Sequence, residues 1–134
     1  MKQLKQRLQN GFTLIEVLIV VVILGILVSI AVPTYLKYVQ KGYASDAKVS
    51  IKAILNANTV FGNETGFPAG DIETLEDEGY LELEESVKTK WQFEITETEV
   101  AATSLEGMKG GAGERVTFYI EEGIFKGYGQ SEQE

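Results

Sequence analysis

The order of apolar and polar residues predicts a helix that is long enough to cross a membrane. From Val17 to Leu36 the chain runs for 20 residues without a charged side chain, and most of these residues are apolar. Twenty residues at about 1.5 Å per residue extend roughly 30 Å, which is the thickness of the hydrocarbon core of a bilayer. We therefore expect this stretch to be helical and to be buried in something other than its own small domain.

Beyond Lys37 the pattern becomes amphipathic. Mainly apolar residues recur there at spacings of four and three positions, as expected for one face of a helix. The members of this stripe are Ala47, Ile51, Ile54, Asn58 and Phe61. We predict that the stripe packs on the protein's own β-sheet and that one helix runs from about Leu14 to Phe61.

Glycine and proline residues then end the helix, within the segment GNETGFPAGD at positions 62–71. Asp71 is placed to cap a second, short helix that reaches Glu78, and Gly79 is placed to end it. Tyr80 and Leu81 are expected to return to the core.

Strict alternation of apolar and polar residues predicts three β-strands in the last third of the chain. They cover Trp91–Thr96, Val116–Ile120 and Ile124–Tyr128. A two-residue turn at Glu122-Gly123 would place Ile120 opposite Phe125. The predicted fold class is α+β, with a long N-terminal helix packed on a small antiparallel sheet of about three strands.

Composition removes most kinds of catalytic site. The 134-residue chain has no cysteine and no histidine, so thiolate and imidazole chemistry are excluded. A net charge of −8 argues against binding to nucleic-acid backbones, which requires basic surface. We expect no enzymatic activity, no cofactor and no direct nucleic-acid site.

Two further segments are weighed as binding sites. The glycine-rich segment 107–113, GMKGGAG, lacks the Gly-Lys-Ser/Thr ending of a phosphate loop and is interpreted as a flexible connection between strands. Eight acidic residues lie between Asp71 and Glu85, but they lack the spacing of a compact calcium loop. We interpret them as a solvated acidic surface, and we predict no metal site.

The residues before the long helix form a specific motif. Lys2, Lys5 and Arg7 give the first ten residues a positive charge without any acid. The segment Gly11-Phe12-Thr13-Leu14-Ile15-Glu16 follows, so that a carboxylate lies at the entrance to the apolar run. A charge at that position is unfavourable in lipid and normally has a function.

This motif, with Pro33 further along the helix, resembles the N-terminus of the type IV pilin family, which includes the pseudopilins of type II secretion. The resemblance covers about residues 1–45. It implies that a prepilin peptidase cuts the chain after Gly11 and that the new N-terminal residue, Phe12, is N-methylated. It also implies an assembly role for Glu16. Gly25 and Pro33 are expected to loosen the helix within a filament, since glycine is a weak helix former and proline cannot donate a helix hydrogen bond.

The resemblance divides the chain into three parts. Residues 1–11 are the leader peptide, residues 12–36 the membrane-spanning half that becomes the filament core, and residues 37–134 the globular pilin domain. The implied partners are further copies of the chain in a helical filament, the prepilin peptidase and methyltransferase, the pilus assembly machinery, and the bilayer before assembly. The expected location is the inner membrane and then the extracellular filament, or the periplasm for a pseudopilin.

Other interpretations remain open from the sequence. The nearest is a pseudopilin, because pilins and pseudopilins share the motif and the architecture. A plain membrane anchor fits the apolar run, and a secretory signal peptide cleaved near Ser29-Ile30-Ala31 fits it in part. A membrane-anchored monomer whose acidic domain binds a ligand is a further alternative, and it requires neither a filament nor a cut after Gly11.

Overall fold

A computed structural model describes residues 11–131 of the chain. It contains three helices, α1 (Leu14–Thr65), α2 (Ile72–Asp77) and α3 (Glu85–Lys88). Four strands follow, β1 (Trp91–Ile95), β2 (Glu99–Ser104), β3 (Arg115–Tyr119) and β4 (Ile124–Gly127). The predicted α+β fold class, a long helix on a small antiparallel sheet, is confirmed, although the sheet has four strands rather than about three.

Residue contacts divide the chain into two compact units, with the boundary inside helix α1 between Leu36 and Lys37. The helical part of the first unit contains the apolar run. The most apolar 18-residue window of helix α1 has a mean hydropathy of 3.1, and none of it is buried within the protein. By length and composition, this helix is able to cross a membrane.

The second unit is built on the amphipathic part of helix α1. Its buried side chains follow a helical spacing, and they are Ala44, Ala47, Ser50, Ile51, Ile54, Ala57 and Phe61. All of them except Ser50 join a single hydrophobic core with Trp91, Val100, Val116 and Phe125 of the sheet. The predicted stripe is confirmed except at Asn58, which is only half-buried; its side-chain oxygen accepts a hydrogen bond from the Ala69 amide at 2.8 Å.

The short second helix forms as predicted. The Asp71 carboxylate accepts the Thr74 amide at 2.7 Å and caps helix α2. Leu81 is buried, and the ring of Tyr80 meets that of Phe61 edge to face at a centroid distance of 5.2 Å. The return of the chain to the core after Gly79 is therefore confirmed.

The sheet is an antiparallel meander in the order β1-β2-β3-β4. Strand β2 was missed from the sequence because its central residues do not alternate. Val100, Ala101 and Ala102 are all buried, so both faces of this inner strand are covered. A strand covered on both faces shows a continuous run of small and apolar residues instead of a period of two.

The predicted register of the last hairpin is wrong. Phe118, not Ile120, lies opposite Phe125, and the two rings are 4.8 Å apart. The loop consists of residues 120–123 and is therefore longer than two residues, since Tyr119 pairs with Ile124. Within this loop, the Gly123 amide donates to the Tyr119 carbonyl at 2.8 Å. Ile120 lies outside strand β3, and its amide donates to the Thr98 carbonyl instead.

Candidate functional site

The residues around the start of helix α1 form a capping box. The Thr13 amide donates to the Glu16 carboxylate at 2.8 Å, and the Glu16 amide donates to the Thr13 hydroxyl at 3.3 Å. This reciprocal pair satisfies two of the amides that a helix leaves without partners at its N-terminus. The negative charge of Glu16 also lies at the positive end of the helix dipole.

Thr13 is therefore a site residue that the sequence interpretation missed. The signal was present, since Thr-x-x-Glu directly before an apolar run is the sequence signature of a capping box. The capping box gives the Glu16 carboxylate a local partner in the single chain. It does not supply a positive charge, so it stabilises the start of the helix without neutralising the carboxylate.

The expected cleavage bond lies outside the helix. Gly11, Phe12 and Thr13 precede the first helical residue, Leu14. Gly11 has a φ of +57°, a conformation that residues with a Cβ rarely adopt, and no atom lies within 4 Å of the position a Cβ would occupy. Phe12 is 86% exposed. The leader residues 1–10 lie outside the described residues.

Helix α1 continues through both positions that were expected to loosen it. Gly25 and Pro33 lie within the unbroken helix Leu14–Thr65. Close to the proline, the Ser29 hydroxyl donates to the Ile26 carbonyl at 2.7 Å and the Thr34 hydroxyl to the Ile30 carbonyl at 3.1 Å. Both hydroxyl donors are thus satisfied by carbonyls of the helix itself.

The glycine-rich segment 107–113 connects strands β2 and β3, as predicted for a strand connection. The Ser104 hydroxyl donates to the Gly111 carbonyl at 2.6 Å and accepts the Glu114 amide at 2.8 Å. The Met108 side chain is buried in the core beneath this connection. These contacts make the segment part of the domain's packing.

Several acidic residues of the run from Asp71 to Glu85 have local structural roles. Asp71 caps helix α2, and the hydrogen bonds from the Thr74 amide and hydroxyl lower the pKa of its carboxyl. Glu76 pairs with Lys88 at 2.7 Å, and the hydrogen bond between them raises the pKa of Lys88. Within residues 11–131, no three carboxylates come close enough together to hold a metal ion.

Glu64 and Tyr80 link the end of helix α1 to the segment after helix α2. The Tyr80 hydroxyl donates to the Glu64 carboxylate, and this bond to the neutral phenol raises the pKa of Tyr80. Together with the edge-to-face contact on Phe61, the bond holds the segment after helix α2 against the end of helix α1.

The fold and the N-terminal site together define a class: a chain with a helix long and apolar enough to span a membrane, a short capped segment at the start of that helix and a small α+β domain after it. Residues 6–32 match the family model described as the prokaryotic N-terminal methylation motif. The type IV major pilin protein PilA of Myxococcus xanthus is 46% identical over 55 residues, which are 41% of this chain and 25% of that protein.

Two other relatives connect the chain to both branches of the resemblance. The type II secretion system core protein G of Pseudomonas aeruginosa is 46% identical over 54 residues, 40% of this chain and 38% of that protein. A fimbrial protein of Pseudomonas aeruginosa is 34% identical over 103 residues, 72% of this chain and 66% of that protein. The chain belongs to the type IV pilin family, and its fold is the α+β pilin fold.

The similarity extends beyond the helix in one of these alignments. Seventy-two per cent of 134 residues is about 96 residues, so the alignment with the fimbrial protein must include residues 40 to 95 wherever it begins. It therefore includes the amphipathic part of helix α1 and strand β1. The alignments with the first two relatives cover about a quarter and two fifths of those proteins' lengths.

Proposed function

We propose that this protein is a structural filament subunit, a type IV pilin that assembles into a helical pilus after its leader is removed and Phe12 is methylated. It is held in the inner membrane by the apolar half of helix α1 before assembly and is then carried outside the cell in the filament. Motility, adhesion and DNA uptake are the roles that such a pilus serves. It is not an enzyme in this proposal, and its partners are copies of itself, the peptidase and the assembly machinery.

The observation that carries this proposal is the exposure of the apolar half of helix α1. No side chain from Leu14 to Leu36 is buried within the protein, although nearly all are apolar. Apolar surface of this extent requires lipid or the helices of neighbouring subunits. In this proposal the bilayer covers the apolar surface before assembly, and the helices of neighbouring subunits cover it afterwards. The same surface therefore suits a subunit that moves from the membrane into a filament.

A pseudopilin of type II secretion is the second candidate, and it is supported by the 46% identity with core protein G over 54 residues. The alignment that includes residues 40 to 95 is with a fimbrial protein, and this favours the pilus. Deletion of the gene separates the two. A pilin predicts loss of surface filaments with normal secretion, whereas loss of secreted enzymes with intact surface filaments would identify a pseudopilin.

We further propose that Glu16 acts in assembly. Removal of the leader would create a positively charged amine on Phe12, and the proposed partner of this amine is the Glu16 carboxylate of a neighbouring subunit in the filament, the alternative being Glu16 of its own chain. An unpaired carboxylate in a membrane helix costs on the order of 2.5–3.5 kcal/mol by insertion scales. The pair would fix how far each subunit rises past the last one.

The substitution Glu16→Gln tests this pairing more sharply than alanine does. Glutamine retains the capping box with Thr13, because either residue accepts the Thr13 amide, but it removes the charge. We expect Glu16→Gln and Glu16→Ala to be inserted and cut after Gly11, yet to give few filaments when each is the sole subunit. Normal assembly of Glu16→Gln would mean that the capping box, and not the ion pair, is the reason for the glutamate.

The helix between Gly25 and Pro33 is proposed to lose its regular hydrogen bonds in the filament. Pro33 has no amide to donate to the Ser29 carbonyl, and Gly25 favours the helix by about 1 kcal/mol less than alanine. In the single chain, helix α1 is continuous from Leu14 to Thr65, so the loss of these hydrogen bonds would occur on assembly. A filament reconstruction with unbroken helix through Ser29 would contradict it.

A further inference from the structure

A row of lysines lies along one side of helix α1 in the globular unit. Its members, called here the lysine stripe, are Lys37, Lys41, Lys48 and Lys52. At about 100° per residue these positions fall within about 60° of the helix circumference, and they extend over roughly 22 Å. No residue of the stripe forms an ion pair within residues 11–131.

The lysine stripe lies at the β4 edge of the sheet. The Lys48 and Lys52 amines are 4.8 and 5.9 Å from the centre of the Phe125 ring, and Lys48 donates to the Gln130 side chain at 3.0 Å. Lys41, Lys48 and Lys52 line one side of a groove of about 230 Å³, and Gly129 and Gln130 line the other. The stripe thus has a concave, positively charged surface beside the last strand.

Unpaired carboxylates lie at the other edge of the same sheet. Helices α2 and α3, which contact strand β1, carry or flank a group called here the acidic edge. Its members are Glu73, Asp77, Glu78, Glu82 and Glu85, all exposed and without an ion-pair partner in the described part of the chain.

The two surfaces do not pair with each other within one molecule. The described residues hold no ion pair between a stripe lysine and an acidic-edge carboxylate, and the strands beside which the two groups lie, β4 and β1, are three strand spacings apart, about 14 Å. Complementary surfaces on opposite edges of one subunit produce a head-to-tail contact between copies. A contact of that type leaves the lysine stripe free at one end of the assembly and the acidic edge free at the other, so the contact can repeat along a filament.

We propose that the lysine stripe of one copy binds the acidic edge of the next copy in the filament. This inference rests on the proposed function, and it adds a contact between globular domains to the packing of the apolar helices. Because both surfaces are exposed to solvent, the contact contributes mainly to orientation and specificity, and salt weakens it.

Zero-length carbodiimide cross-linking of purified wild-type filaments tests the contact directly. The reagent joins lysine amines to carboxylates that are in ion-pair contact, and mass spectrometry identifies the joined peptides. We expect links between stripe lysines and acidic-edge carboxylates in filaments and not in detergent-solubilised monomers, which identifies them as intermolecular. Filaments whose links involve neither surface would overturn the proposal.

Charge reversal tests whether the contact matters for assembly. We expect the Lys41→Glu variant to give about tenfold fewer filaments, because like charges then face each other. The Lys109→Glu variant is the matched control, since Lys109 is exposed, lies in the connection between β2 and β3 and changes the net charge equally. Equal losses in the two variants would indicate a general charge effect and would contradict the proposal.

A charge swap completes the test. Lys41→Glu/Lys52→Glu and Glu82→Lys/Glu85→Lys should each assemble poorly, and the combined variant, which has the wild-type net charge, should recover at least about half of the wild-type yield. A combined variant no better than the worse parent would overturn the contact.

Two further outcomes have separate meanings. If wild-type subunits with cleaved leaders form no filament in a host that has an assembly machinery, the proposed function itself fails. If Lys41→Glu/Lys52→Glu assembles normally but no longer binds phosphatidylglycerol vesicles in flotation, the stripe contacts lipid headgroups, and the inference fails while the filament function stands.

Discussion

The two parts of helix α1 show how one regular backbone is matched to two surroundings. Up to Leu36 its side chains are apolar on every side, and none is buried within the protein. From Ala44 to Phe61 the buried residues follow one face, while lysines and other mainly polar residues occupy the rest, with Val49 and Val60 as exposed exceptions. A helical period of apolar residues therefore indicates that one face of a helix is buried, and an apolar run without such a period indicates that the helix is surrounded by apolar material on all sides.

The comparison also shows where the chemistry of the protein is concentrated. The apolar part carries a single charged side chain, Glu16, and it lies in the first turn of the helix. In the globular part, charged residues of both signs lie on the surface, and the lysine stripe and the acidic edge are two groups among them. The charged residues that we propose to act in assembly are thus one in the apolar part and several in the globular part.

The largest expected effect breaks the apolar part at its processing site. Replacement of Gly11 by valine should leave nearly all of the protein as the longer precursor, because the backbone there has a φ of +57° and a Cβ would both disfavour that conformation and hinder access of the peptidase. Immunoblots of membrane fractions measure precursor and mature chain. Gly25→Val is the control, since Gly25 lies in open space inside the helix. Normal cutting of the Gly11→Val variant would contradict the processing motif.

The next effect breaks the globular part alone. Trp91 is 2% exposed at the centre of the core, so Trp91→Ala should lower the free energy of unfolding by about 3–5 kcal/mol. Membrane insertion and leader cleavage should not change. Urea unfolding of detergent-solubilised protein, followed by circular dichroism, measures the loss. Gln92→Ala, on the exposed side of the same strand, is the control, and equal destabilisation of both variants would contradict this account of the core.

A smaller effect is expected at the contact between Gly129 and helix α1. A Cβ on Gly129 would lie 2.6 Å from the Gln40 carbonyl oxygen and 2.8 Å from the Ala44 Cβ. Gly129→Ala should destabilise the domain by about 2–4 kcal/mol, from the collision and from its φ of +70°.

Gly123 provides a matched control for this substitution. It has the same φ of +70° but no atom within 4 Å of a Cβ, so Gly123→Ala should cost only about 1–2 kcal/mol. The difference between the two variants in thermal unfolding isolates the contact with helix α1. Equal losses would mean that the backbone conformation alone accounts for the glycine at position 129.

The smallest effect concerns pH. Hydrogen bonds from Thr74 lower the pKa of Asp71 below its ordinary value of 3.8. A carboxyl with a lowered pKa in the folded state stabilises the fold above its unfolded pKa, and this contribution is lost as the pH falls through the folded pKa. The wild-type melting temperature should therefore fall more than that of Asp71→Asn between about pH 5 and pH 3. Parallel pH profiles for the two proteins would show that the cap is not coupled to protonation.

Much of this architecture could be predicted from the sequence, since it depends on local patterns. A signature within a few residues exists for each of four features: the apolar run, the amphipathic stripe after Lys37, the Asp71 cap and the three alternating strands. Strand β2 has none, because its small residues are buried on both faces by neighbours that are distant in sequence. The register of Phe118 against Phe125 depends on the length of the loop, and that length is fixed by pairing and not by composition.

The candidate site was predicted in part for a similar reason. Gly11, Phe12 and Glu16 were found through a resemblance, which identified positions but not contacts. The role of Thr13 as partner of Glu16 appears only when the two side chains are placed on the first turn of a helix. The positions of the lysine stripe and the acidic edge at opposite edges of the sheet follow from the order of the strands. That order, which places β4 beside residues 37–52, could not be read from local sequence patterns.

The capping box at Thr13 and Glu16 has a consequence for the timing of subunit biogenesis. Its two hydrogen bonds involve atoms of residues 13 and 16 only, and the bond expected to be cut precedes residue 12. Maturation after Gly11 would therefore alter the charge of the chain terminus without altering the geometry of the helix that follows. Shape would be acquired on insertion and charge on cleavage, so a subunit could wait in the bilayer with its helix already formed and become competent for assembly in a single hydrolytic event.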